Sequence, residues 1–193
     1  MKKYPYSASY QGELRVAIGD LNGDSLMEIY VSAEEGYPAP IKVYTRHGRQ
    51  MKRDWYPFGE GYAGGYSIAV GSSDAVKGNE LIVGAGSGMK PEIHIFDWDY
   101  NPVRTWLAFG AQFLGGVSVA TGDVDGDRVD EIVIGAGSGM KPVIRVFDAM
   151  GALEFAEFQA YSTFGTPGIE VRTADVDFDG KDDIIGMSSG IGL

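Results

Sequence analysis

The feature that most constrains this chain is an internal repeat. Val119-Ala120-Thr121-Gly122-Asp123-Val124-Asp125-Gly126-Asp127 is followed by Glu131-Ile132-Val133-Ile134-Gly135-Ala136-Gly137. An upstream copy reads Val16-Ala17-Ile18-Gly19-Asp20-Leu21-Asn22-Gly23-Asp24, then Glu28-Ile29-Tyr30-Val31. A downstream copy reads Val171-Arg172-Thr173-Ala174-Asp175-Val176-Asp177-Phe178-Asp179, then Asp183-Ile184-Ile185. A weaker copy starts at Ile68 and resumes at Glu80-Leu81-Ile82-Val83. The anchors fall at residues 20, 72, 123 and 175, in steps of 52, 51 and 52. A fixed period of this length marks one supersecondary unit that buries its apolar surface only by stacking on its neighbours.

Each period reads as four short strands. In the third repeat they are residues 117–121, 131–134, 143–147 and, more loosely, 153–158. Alternation, β-branched residues and regular glycine-rich breaks are strand signals, and no stretch carries a helical period. Glycine supplies 29 of the 193 residues, roughly twice the usual share of about 7%, which argues against a helical bundle. The expected fold is all-β, built from β-propeller blades of four antiparallel strands. The chain holds about 3.7 repeats of 51–52 residues in a single region, 1–193, and reads as an incomplete or open propeller. Residues 1–10 read as the last strand of a preceding blade, because Tyr4-Pro5-Tyr6 aligns with Tyr56-Pro57-Phe58, and 169–193 read as the first half of a blade. Aromatic pairs at Trp55 and Phe58, Trp106 and Phe109, and Phe158 and Tyr161 recur at equivalent places and predict packing between blades.

The chemistry lies between strands one and two. Three loops follow Asp-x-(Asp/Asn)-x-Asp-x-x-x-(Asp/Glu): Asp20, Asn22, Asp24 and Glu28; Asp123, Asp125, Asp127 and Glu131; Asp175, Asp177, Asp179 and Asp183. Alternate side chains in a tight turn aim oxygens at one centre, and the backbone carbonyl at position seven (Leu26, Val129, Lys181) can add a ligand. So many hard oxygens suit calcium better than magnesium, in about three sites. The loops are not EF-hands, since position twelve is Val31, Ile134 or Gly186 and the flanks are strands. They hold three, four and four acidic ligands, eleven of the 27 in the chain, and the remaining 16 balance the 16 Lys and Arg. The net charge of −11 therefore sits in the loops, and a nucleic-acid partner is not expected. In the second repeat Ser72, Asp74, Val76 and Glu80 occupy the ligand positions, and Lys77 is expected to replace the ion by reaching Asp74 or Glu80.

With these residues in view, the chain resembles the FG-GAP / VCBS repeat family, which includes the propeller of integrin α subunits. The resemblance rests on Phe109-Gly110, Gly122-Asp123-Val124-Asp125-Gly126-Asp127 and Ile134-Gly135-Ala136-Gly137, with copies at the other anchors. It implies a calcium-binding propeller, usually outside the cell, used for adhesion or recognition, with calcium on the twelve loop side chains named above. The family's glycine at position six is kept only at Gly180, with Ser25 and Arg128 in the other two loops, so a positive φ there would be strained.

Other motifs point away from catalysis. Gly84-Ala85-Gly86-Ser87-Gly88-Met89-Lys90-Pro91 and its copy at 135–142 precede a strand, not the helix a phosphate loop needs, so they read as hairpin connections. His94 reads as a packed or half-exposed strand residue and His47 as a solvated one, and no hydrolase triad is supported. Cysteine is absent, so there is no disulfide frame. No apolar run is long enough to span a membrane. The turn 97–102 is expected to expose Trp98 and Tyr100, and the variable segment 34–40 offers Tyr37; these three are weak candidates for ligand binding. The leading expectation is a non-catalytic, calcium-binding, extracellular or cell-surface propeller for adhesion, recognition or scaffolding, with a protein or glycan partner. One alternative is a homo-oligomeric fibre or surface assembly completed by strand donation across an open edge. Another is a carbohydrate-binding, lectin-like propeller, or the propeller segment of a polysaccharide-degrading enzyme.

Overall fold

Thirteen β-strands, grouped in four sheets, make up the regular structure of the computed structural model, which describes residues 4–7, 10–73, 79–155, 157–162 and 164–188. The strands are β1 (Leu14–Gly19), β2 (Glu28–Ala33), β3 (Lys42–Thr45), β4 (Tyr66–Gly71), β5 (Glu80–Ala85), β6 (Glu92–Phe96), β7 (Pro102–Leu107), β8 (Val117–Gly122), β9 (Glu131–Ala136), β10 (Val143–Phe147), β11 (Phe158–Gln159), β12 (Ile169–Ala174) and β13 (Asp183–Ser188). They form antiparallel meanders in the orders β1-β2-β3, β4-β5-β6-β7, β8-β9-β10-β11 and β12-β13. The all-β propeller architecture read from the repeat is the observed one. Among the described residues the first sheet has three regular strands and no regular fourth. Isolated bridges from Ile41 to Trp55 and Tyr44 to Gln50 stand in its place, separated by an irregular segment that includes the charged Lys52-Arg53-Asp54.

Alternation decides which face of each sheet meets which neighbour. In the second sheet Tyr66, Ile68, Leu81 and Val83 pack back onto Tyr30, Ile41 and Val43 of the first. Ala69, Ile82, Ile93 and Ile95 pack forward onto Val119, Ile132, Ile134 and Phe147 of the third. Ala120, Val133, Ile144 and Val146 then meet Ile169 and Val171 of the fourth. A sheet so covered on both faces has continuous apolar strands, as in Leu81-Ile82-Val83, and each buried side chain contributes about 1.5–3 kcal/mol.

Adjacent sheets are pinned by hydroxyls. Ser32 Oγ donates to the Tyr66 carbonyl at 2.9 Å, and the buried Ser67 and Ser118 accept the N–H groups of Val119 at 2.9 Å and Val171 at 3.1 Å. The Gly-rich hairpins lie in a close seam. A Cβ on Gly86 would stand 1.8 Å from the Gly64 carbonyl oxygen, and one on Gly137 2.0 Å from that of Gly115. Glycine is needed there because each hairpin passes close to the backbone that enters the first strand of its own sheet, not for a phosphate. The expected interblade aromatic packing is present at the first two pairs: the Trp55 ring stacks on Tyr100 at 4.3 Å and meets Phe96 edge-on at 4.6 Å, and Trp106 lies 5.8 Å from Phe147. At the third pair Tyr161 packs against the core between the last two sheets, but Phe158 is exposed, because it lies on the two-residue outer strand β11. Near the axis Arg15 of β1 pairs with Glu34 at 2.8 Å and with Glu170 of β12 at 2.6 Å. These groups line a polar cavity of about 380 Å³. Among the described residues no helix is long and apolar enough to cross a membrane.

Candidate metal sites

The three acidic loops share one backbone design. The position-one carboxylate caps the turn from inside. Asp20 accepts the N–H groups of Gly23 at 2.8 Å, Asp24 at 3.1 Å and Ser25 at 2.7 Å. Asp123 accepts those of Gly126 at 2.6 Å and Arg128 at 2.9 Å, and Asp175 those of Asp179 at 3.2 Å and Gly180 at 3.1 Å. Side-chain oxygens at positions three and five each accept the N–H two residues on, as Asn22 does from Asp24, Asp125 from Asp127 and Asp177 from Asp179. The N–H groups of Leu26, Val129 and Lys181 go to Asp24, Asp127 and Asp179 at 2.8, 2.8 and 2.9 Å. Such Asx bonds wind a short polar segment into a coil without help from the core.

Positions four and six are left-handed in every loop. The φ values are 74° and 67° at Gly23 and Ser25, 89° and 75° at Gly126 and Arg128, and 63° and 90° at Phe178 and Gly180. The strain expected at Ser25 and Arg128 is therefore present, at a cost of roughly 1–2 kcal/mol each. Phe178 carries the same strain at position four and is 88% exposed.

The turns bring carboxylates together. Ligand oxygens lie within 4.8 Å of one another in the groups Asp20–Asp24–Glu28, Asp123–Asp125–Asp127, Asp125–Glu131–Glu154 and Asp175–Asp177–Asp183. Asn22 is committed to its own loop, since its side-chain amide also donates to Glu28 at 3.2 Å. The position-nine acids root the turns in the sheets. Glu28 and Glu131 are buried, and accept the N–H groups of Leu21 at 3.2 Å and Val124 at 2.8 Å; Asp183 accepts that of Val176 at 3.2 Å. Burial, reinforced by Glu154, Asp125 and Asp127, pushes the Glu131 carboxyl up to about 7. Burial likewise raises Glu28, with Asp24 and Asp20 adding to it. Two carboxylates at 4.8 Å repel by about 1–3 kcal/mol between bulk-water and protein-surface dielectrics. All donors are hard oxygens, so the residues present fit a calcium-type ion.

Glu154 was not singled out from the loop motif. It reaches the third loop because its N–H pairs with the Val146 carbonyl at 2.9 Å, beside the bridge from Phe147 to Leu153. The second loop differs. Asp74, Val76 and Lys77 lie outside the described residues, so the proposed lysine replacement does too. Glu80 accepts Ser73 N–H at 3.0 Å and Ser73 Oγ–H at 3.2 Å. Ser72, in place of the position-one aspartate, donates its N–H to Asp130 at 2.8 Å.

The aromatic turn is more enclosed than its sequence suggests. Tyr100 stacks on Trp55 with an interplanar angle of 2°, and the Lys52 ammonium lies 4.1 Å from the Trp98 ring centre and 4.5 Å from that of Tyr100. Both rings are half-buried in the joint between the first two blades. Tyr37 is 44% exposed and sits 5.3 Å from the Tyr10 ring.

Comparison with known proteins agrees with this architecture. Residues 115–148, the third repeat with its loop, match the FG-GAP repeat family. No curated protein matches the chain. Among solved structures it is similar to the exotype rhamnogalacturonan lyase YesX, with a TM-score of 0.59 and 18% identity over 88% of this chain and 37% of that one. It is also similar to the rhamnogalacturonan lyase YesW, with a TM-score of 0.55 and 16% identity over 96% of this chain and 42% of that one. The chain thus spans about two-fifths of the length of each lyase, and the likeness is one of fold.

Proposed function

We propose that this chain is a calcium-stapled, non-catalytic propeller region serving recognition, adhesion or scaffolding outside the cell or on its surface. The observation that supports it most is the recurrence, in three repeats, of one oxygen-lined turn that draws the carboxylates of three residues to within 4.8 Å. Asp20, Asp24 and Glu28, then Asp123, Asp125, Asp127 and Glu131, then Asp175, Asp177 and Asp183 would hold the ions. The ion supplies positive charge that cancels the repulsion. The position-one aspartates keep the turn wound, and Glu28 and Glu131 tie it to the buried strands. An affinity of roughly 10⁻⁴–10⁻³ M, usual for extracellular calcium modules, suits an exterior location. Calcium titration by calorimetry tests the reading: three sites are expected, and Asp123→Asn should remove one. Absence of binding at about ten times the highest expected dissociation constant would overturn it.

The likeness to two rhamnogalacturonan lyases favours a second reading, a propeller segment of a polysaccharide-acting or glycan-binding protein. The polar axial cavity with Arg15, Glu34 and Glu170 suits a hydroxylated ligand. Turnover of rhamnogalacturonan by the chain, abolished by Glu170→Gln, would replace the non-catalytic reading with this one.

A further inference from the structure

The acidic loops of the third and fourth repeats, 123–131 and 175–183, touch across the blade junction. The Asp182 N–H donates to the Asp123 carbonyl at 2.7 Å, and the Lys181 ammonium donates to the Asp125 carbonyl at 2.5 Å. The Lys181 stem lies along Gly126, where a Cβ would stand 3.0 Å from its Cε. The Asp182 carboxylate fills the space over Gly122, the residue before Asp123, where a Cβ would meet Oδ2 at 2.4 Å. Residues 181 and 182 of one loop thus grip positions one and three of the other by their carbonyls. The equivalent grip one junction earlier, by Asp130 on Ser72, lands on the loop that has lost its ligand pattern. Among the described residues, the acidic loops that touch each other are those of the third and fourth repeats.

Resting on the calcium reading above, we infer that the third and fourth loops bind cations cooperatively, with Lys181 as the positioning residue that couples them. Closing the fourth loop around an ion fixes Lys181 and Asp182, which then hold the third loop in its wound shape. The ordering cost is met once for both loops, so the second ion binds more tightly. Repulsion between the ions opposes this, but the loops face solvent and are screened. The expected coupling is about five- to tenfold, at the low end of the usual range. By linkage it runs equally in both directions. The first loop has no such neighbour and should bind independently.

The loop glycines report each site separately, because Gly23, Gly126 and Gly180 donate their N–H groups to Asp20, Asp123 and Asp175. Their amide resonances are followed as the whole chain is titrated with calcium chloride. Asp175→Asn should raise the calcium midpoint of Gly126 about five- to tenfold and leave that of Gly23 unchanged. Lys181→Met should raise the Gly126 midpoint similarly while Gly180 still titrates, and Lys181→Arg should restore it. If Gly180 stops titrating in Asp175→Asn but the Gly126 midpoint does not move, the coupling is refuted and the calcium reading stands. If none of the three glycines titrates in the unsubstituted chain, both fail together.

Discussion

Removing calcium should lower the melting temperature by an amount that follows from the loops. Each loop holds three carboxylates within 4.8 Å, so the metal-free turn carries three repulsive pairs of about 1 kcal/mol each even in bulk-water dielectric. Salt and side-chain rotation relieve part of that cost. The ion's own contribution comes from linkage. At about 2 mM calcium and dissociation constants of roughly 10⁻⁴–10⁻³ M, one site adds about 0.6–1.8 kcal/mol. Three sites give about 2–5 kcal/mol, a large share of a usual total of about 5–15 kcal/mol. For a chain of this size each kcal/mol moves the midpoint by about 2–4 °C. Differential scanning calorimetry in calcium and in chelator should therefore differ by roughly 4–20 °C. Sodium chloride added to the chelated protein should recover only part of the loss. An unchanged melt, or an equal gain from magnesium, would refute structural calcium in these turns, because magnesium resists replacing its water by so many protein oxygens.

Three further outcomes are expected. Glu154→Gln should weaken calcium at the third loop about three- to tenfold and leave the other two unaffected, as read from the Gly126, Gly23 and Gly180 resonances. Gly137→Ala should cost more than about 3 kcal/mol in chemical denaturation, because the new methyl meets the Gly115 backbone at 2.0 Å, whereas Gly88→Ala, with φ of 82° and no atom within 4 Å, should cost only about 1–2 kcal/mol. Trp55→Ala should cost about 3–5 kcal/mol, since it removes the stack on Tyr100 and the edge contact with Phe96, and should flatten the near-ultraviolet circular dichroism.

The acidic loops were legible in the sequence because their geometry is local. Spacings of two and four residues in a tight turn set the positions of Asp123, Asp125 and Asp127 with little help from distant residues. The strands were legible for a similar reason, since Leu81-Ile82-Val83 states its own burial. Glu154 was hidden because it reaches Asp125 only through the pairing of its segment with β10. The sequence around Tyr100 suggests an exposed ring, and the structure half-buries it. It lies in a charged turn, yet the turn folds onto Trp55 of the previous blade, a contact set by stacking and not by local composition. Ser67 and Ser118 look like ordinary polar strand residues, and their roles as interblade pins depend on neighbours one repeat away.

The meander within each sheet sends successive connections to opposite ends. The turns from β1 to β2, β8 to β9 and β12 to β13 share one rim, while Tyr37 and the glycine hairpins emerge on the other. Mutational drift can thus remodel one rim while the ion-holding rim keeps its residues, so new specificities can arise without surrendering rigidity.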